Sequence, residues 1–72
     1  MKVGDWVIPV DNPLHDVGRV ININPVYTYI EGFIRGEHHP KIQITREKAE
    51  ARLIVVTKEV ADILISIQKE EK

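Results

Sequence analysis

Val3-Gly4-Asp5-Trp6-Val7-Ile8-Pro9-Val10 is answered further along the chain by Gly18-Arg19-Val20-Ile21. Gly admits backbone conformations that other residues avoid, and Asp closes turns with its side chain. Val and Ile suit a pleated, half-buried surface. A glycine therefore opens each of two strands, and the pair predicts the first hairpin of a small β-barrel. Pro9, which has no amide donor, marks the end of the first strand or an exposed edge.

Outward from this hairpin the pattern stays β. Asp11 to Asp16 reads as a loop, because Asn12 precedes a proline and the flanking Asp residues favour turns. Val17 to Ile23 is the second strand. Asn24-Pro25 turns the chain, in a connection wider than two residues because Pro cannot supply a positive φ. Val26 to Arg35 is the longest β segment, with Tyr27, Tyr29 and Phe33 on one face and Thr28, Ile30 and Ile34 on the other. Gly32 in its middle predicts a bulge or sharp bend. Gly36 to Pro40 reads as a turn, and Lys41 to Thr45 alternates with Ile42 and Ile44 inward.

Thr45 caps a short helical turn through Arg52. Leu53-Ile54-Val55-Val56 lacks alternation and predicts a last strand covered on both faces. Thr57 caps a helix running to about Lys69, with Glu59 and Lys69 matching the helix dipole. The expected architecture is mainly β: a five-stranded barrel over residues 1–56, then a C-terminal helix over 57–72 that packs on the barrel or on a partner chain.

Seventy-two residues make one domain with a modest core, and the absence of cysteine removes disulfides and thiolate metal sites as supplements. Oligomerisation is the supplement left. Ten basic and eleven acidic residues are interspersed for a net charge of −1, a weak footprint for a dedicated nucleic-acid binder. No apolar run approaches a membrane span, and the first residues lack the form of a signal peptide, so a cytoplasmic location is expected.

The spacing Gly4-Asp5-x-Val7, a loop, then Gly18-Arg19-Val20 and three further strands resembles the SH3-like small barrels, including KOW-type and CarD-type domains. The resemblance covers roughly residues 3–56 and implies a fold more than an activity, since these barrels host many functions. His39-Pro40-Lys41-Ile42-Gln43-Ile44 is similar to the active-site segment of the plasmid type II dihydrofolate reductases, which are also SH3-like barrels. That resemblance implies a pore-lining role for Gln43 and Ile44. Thr45 stands where their motif has tyrosine, and Pro9 falls about where they have a basic residue.

Candidate site residues follow from residue type. His38 and His39 are adjacent and would point to opposite sides of a strand, so they cannot chelate one ion together, and no metal or cofactor is expected. Asp5, Asp11 and Asp16 sit in turn contexts, and Ser66, the only serine, lies in the helix. Trp6, Tyr27 and Tyr29 are candidates for a stacking platform or peptide groove, with Trp6 foremost. Arg19, and with it Arg35, Lys41, Arg46 and Arg52, would form a basic patch if they converged. In the helix, Val60, Ile63, Leu64 and Ile67 make one apolar stripe, and Ile65 extends it beyond what a single contact requires. The expected function is a non-enzymatic interaction module that self-associates through this helix, with a protein partner ahead of nucleic acid. A KOW-type nucleic-acid-binding module is the alternative, and a reductase-like enzyme the third reading.

Overall fold

The computed structural model describes residues 1–11 and 16–70. It contains β1 (Trp6–Pro9), β2 (Asp16–Ile23), β3 (Tyr27–Ile34), β4 (Glu37–Thr45) and β5 (Leu53–Val56), with α1 (Arg46–Arg52) between the last two strands and α2 (Lys58–Glu70) at the end. The strands form one antiparallel sheet in the order β4-β3-β2-β1-β5. Of the loop expected over residues 11–16, residues 12–15 lie outside the described residues, and Asp16 is the first residue of β2 rather than part of a loop.

The opening turn forms as the residues dictate. Gly4 adopts φ 95°, and Asp5 Oδ2 accepts the Lys2 amide at 2.8 Å. Gly4 and Val20 then bond through their backbones at 2.8 Å, which fixes β1 against β2. The Asn24–Val26 connection is indeed wider than two residues: Asn24 Oδ1 accepts from Val26 at 2.9 Å and from Tyr27 at 2.7 Å.

β3 alternates as its sequence requires. Thr28 and Ile30 are buried, whereas Tyr27, Tyr29, Glu31 and Phe33 on the other face are half-buried. Gly18 and Gly32 lie directly opposite each other in the β2–β3 register. A Cβ on Gly18 would meet Ile30 at 2.5 Å, and one on Gly32 would meet Ile42 at 2.5 Å. The missing side chains let the sheet curl around these isoleucines. The register also shifts between Ile30 and Gly32 against β4, where the bend was expected.

The curled sheet has two faces with separate cores. Val7, Val20 and Ile30 pack on the concave face with Ile23, Ile44 and Leu53. On the convex face α2 lays Ala61 and Leu64 against Val17, flanked by Trp6, Ile8, Val56, Ile65 and Ile67. Thr45 Oγ1 caps α1 and Thr57 Oγ1 caps α2, each accepting the amide three residues on at 3.3 Å.

Three expectations are corrected. No ladder joins β4 to β5 among the described residues, so the sheet is open; α1 carries the chain from one edge to the other, in contact with both. β5 is an edge strand rather than a covered one, with Ile54 47% and Val55 48% exposed. A four-residue apolar run has no period to distinguish those two settings. His38, His39 and Pro40 belong to β4, not to a turn. The turn is tighter: Arg35 and Gly36 take φ 50° and 83°, the pattern of a two-residue hairpin.

Candidate functional site

Strand parity decides which side chains meet on the convex face. Trp6 is opposite Arg19, and Arg19 is opposite Glu31. Tyr29 is opposite Gln43, and Tyr27 is opposite Thr45. Directly opposed residues share a face, as do alternate residues along β3. Trp6, Arg19, Tyr27, Tyr29 and Gln43 therefore all lie on one side of the sheet.

They form two groups. The Arg19 guanidinium carbon sits 6.0 Å from the Trp6 ring centroid, and the Trp6 and Phe33 rings are 6.3 Å apart. Phe33 continues to His38 at 5.1 Å, and His38 Nε2 reaches Glu31 Oε2 at 3.3 Å. Further along the face, Tyr27 and Tyr29 are 6.3 Å apart, with Lys41 Nζ 4.8 Å from the Tyr29 centroid. Trp6 serves two ends at once, because its half-buried ring also flanks the core beneath α2.

The basic residues do not gather into one patch with Arg19. Arg35 occupies the β3–β4 turn, and Arg46 and Arg52 stand at the two ends of α1. Glu31 lies between the two aromatic groups, and Arg46 Nε is 3.6 Å from Glu50 Oε1. The face is thus aromatic with mixed charge rather than strongly basic.

His38 and His39 do point to opposite sides, since His38 is opposite Phe33 and His39 opposite Gly32. Among the described residues no three His, Asp or Glu side chains come together as a metal site. Asp5 holds the first turn, and Ser66 is exposed on α2. Gln43 and Ile44, the pair implied by the reductase resemblance, lie on opposite faces, with Ile44 packed against the concave core.

The apolar surface of α2 differs from the expected stripe. Ala61, Leu64 and Gln68 are buried against the sheet, and Ile65 packs beside them. Ile65 is therefore part of this chain's own core. The helix is rotated from the expected orientation because small Ala61 permits close approach to the strands, which brings Ile65 inward and turns Ile63 out. Ile63 is 60% and Val60 41% exposed. Ile67 is half-buried at the margin between the two sides.

Gln68 is the residue that sequence reasoning missed. It is 2% exposed, its Nε2 donates to the Phe33 carbonyl at 2.9 Å, and its Oε1 accepts from the Gly36 amide at 3.2 Å. A polar residue near a helix end carries no signal of such a role.

No protein-family model matches the chain, and comparison with curated proteins and with solved structures gave no significant match.

Proposed function

We propose that this chain is a non-enzymatic interaction module of the SH3-like kind that assembles with copies of itself through α2. The observation that carries this reading is Ile63, 60% exposed on a helix whose inward side is already filled by Ala61, Leu64, Ile65 and Gln68. Val60, one turn before it, is 41% exposed. Ile54 and Val55 on the edge strand β5 are also exposed, on opposite faces of the sheet.

The balance of the small core supports the same reading. Among the described residues seven hydrophobic side chains are buried, two of them alanines, whereas nine large hydrophobic side chains are exposed. A chain this short gains by covering such residues with a symmetric copy. Burial of one isoleucine contributes about 1.5–3 kcal/mol, so the two Ile63 side chains of a two-fold contact supply about 3–6 kcal/mol, a part of the roughly 8 kcal/mol that micromolar association needs. Five antiparallel strands in one sheet, with Gly18 and Gly32 facing each other where β2 pairs with β3, support the SH3-like assignment. No helix among the described residues is long and apolar enough to cross a membrane, and we include a cytoplasmic location in the proposal. Sedimentation of the wild type against Ile63→Glu tests self-association.

A second reading is favoured by one specific observation, the convergence of Trp6, Arg19, Tyr27, Tyr29 and Gln43 on one sheet face. Aromatic rings beside cationic side chains suit stacked bases, as a KOW-type nucleic-acid-binding module would use them. The net charge of −1 and the intervening Glu31 weigh toward the first reading. Reductase-like catalysis is the reading least supported, because Gln43 and Ile44 face opposite ways.

A further inference from the structure

The two edges of the open sheet are built differently. β4 carries Glu37, Pro40 and Lys41 and a register shift against β3, devices that protect an edge from further pairing. β5 has none of them: its four residues are apolar, and Ile54 and Val55 are exposed on opposite faces. α2 leaves β5 to lie against β1 and β2, away from this edge.

Hydrogen-bond parity tells which backbone groups the edge offers. Val10 donates to the Arg52 carbonyl at 2.8 Å, and the two residues continue the β1–β5 register. Bonded and non-bonded pairs alternate in an antiparallel ladder, so Ile54 and Val56 bond toward β1, and Val55 points its N–H and C=O outward. The Leu53 carbonyl and the Thr57 N–H point outward with them, because each is trans across a peptide to a group directed at β1. Among the described residues none of these four groups has a hydrogen-bond partner. The other two groups at these positions are already committed: Leu53 N–H donates to the Ala49 carbonyl, and Thr57 C=O accepts from Ala61 at 3.0 Å.

We propose that β5 pairs antiparallel with β5 of a second copy, about a two-fold axis at Val55. In that register Val55 faces Val55 of the second copy, and the two exchange both N–H···O bonds. Leu53 faces Thr57 of the second copy, and each Thr57 N–H donates to a Leu53 carbonyl. The committed groups, Leu53 N–H and Thr57 C=O, then lie opposite each other and need no partner. All four free groups of each chain are satisfied. A register that pairs Leu53 with Val55 instead leaves each Val55 carbonyl facing a committed N–H. The chosen register also covers the exposed side chains, with Ile54 beside Val56 of the second copy on the convex face and the two Val55 side chains together on the concave one. Arg52 comes opposite Lys58 of the second copy at the exposed ends, a repulsion that salt screens. The contact goes beyond the α2 reading and involves neither Val60 nor Ile63. Its few bonds and side chains make a small interface, formed above the micromolar range.

The test follows amide hydrogen exchange by NMR in the full-length chain at low micromolar and near-millimolar concentration, for the wild type and for Ile63→Glu. The second chain lacks the α2 contact, so the two surfaces are read separately. In both, the Val55 and Thr57 amides should exchange at least about threefold slower at the higher concentration, while Ile54 and Val56, bonded to β1, stay equally protected. Ile54→Lys places a charge on the edge and should abolish the slowing. Val55→Pro removes an N–H that makes no bond to β1, and should abolish the slowing at Thr57. Fast exchange of Val55 at both concentrations would overturn self-pairing and leave the α2 reading untouched. Slow exchange of Val55 at both would overturn it as well, because the N–H then has a partner within its own chain. Slowing that survives unchanged in Ile54→Lys would also contradict it.

Discussion

Gln68 is tied to Phe33: its side-chain amide donates to the Phe33 carbonyl at 2.9 Å, from the last turn of α2 to the end of β3. The same side chain accepts from Gly36 at 3.2 Å, so one residue clamps the helix to the β3–β4 hairpin. Replacing it by leucine leaves a carbonyl and an amide unpaired in a partly buried place. Gln68→Leu should therefore destabilise the fold by about 1–3 kcal/mol, read as a lowered midpoint in urea with an unchanged slope. A midpoint equal to the wild type's would show that water replaces both bonds at no loss.

The Arg35-Gly36 turn offers a change in the opposite direction. Arg35 adopts φ 50°, which a non-glycine residue resists, while Asn tolerates it. Arg35→Asn creates the Asn-Gly pair that two-residue hairpins favour, and it should raise stability by about 0.5–1 kcal/mol in the same urea assay. A loss of stability would mean that the arginine contributes through its side chain.

Gly32 is a test of the curled sheet. A Cβ there meets Ile42 Cδ1 at 2.5 Å, with His39 Cβ on its other side at 3.8 Å. Gly32→Ala should destabilise by about 1–3 kcal/mol through overpacking. A neutral result would mean that the end of the Ile42 side chain moves aside at no loss.

The alternative use of the convex face has its own discriminating variants. Tyr29→Ala removes a ring lying away from α2, and should weaken binding of a labelled single-stranded oligonucleotide by about 1–3 kcal/mol if bases stack there. Arg19→Ala should instead flatten the salt dependence. Unchanged affinity and salt dependence in both would remove this face from consideration for nucleic acid. Trp6 is less suited to such a test, since its ring also supports the core under α2.

What could be read from the sequence was local and periodic. Tyr27 to Ile34 alternates strictly, and its faces came out as the period dictates. Thr45 and Thr57 cap their helices because capping needs only the residue and the three that follow. The five strands and two helices follow from such signals. The edge position of β5 does not, because exposure of Ile54 and Val55 depends on which strand comes to lie beside them. The rotation of α2 was equally hidden: an apolar arc that includes both Ile63 and Ile65 fits more than one orientation. Small Ala61 and the distant partners of Gln68 choose between them. Trp6, Arg19, Tyr27, Tyr29 and Gln43 were legible as candidates singly, but their sharing of one face depends on the register of four strands.

The outward side of α2 carries the central claim. Ile63 contributes little to the chain's own core and Ile65 packs directly on it, so the same substitution at the two positions separates assembly from folding. Ile65→Glu should destabilise the monomer, visible in urea, whether or not copies associate. Ile63→Glu should leave the urea midpoint, measured at concentrations where the wild type is monomeric, within about 0.5 kcal/mol of the wild type's. Sedimentation equilibrium at micromolar concentration is then the direct measurement. The account predicts a discrete oligomer for the wild type and a monomer for Ile63→Glu, while a wild type that remains monomeric, or an Ile63→Glu variant that assembles as before, would contradict it.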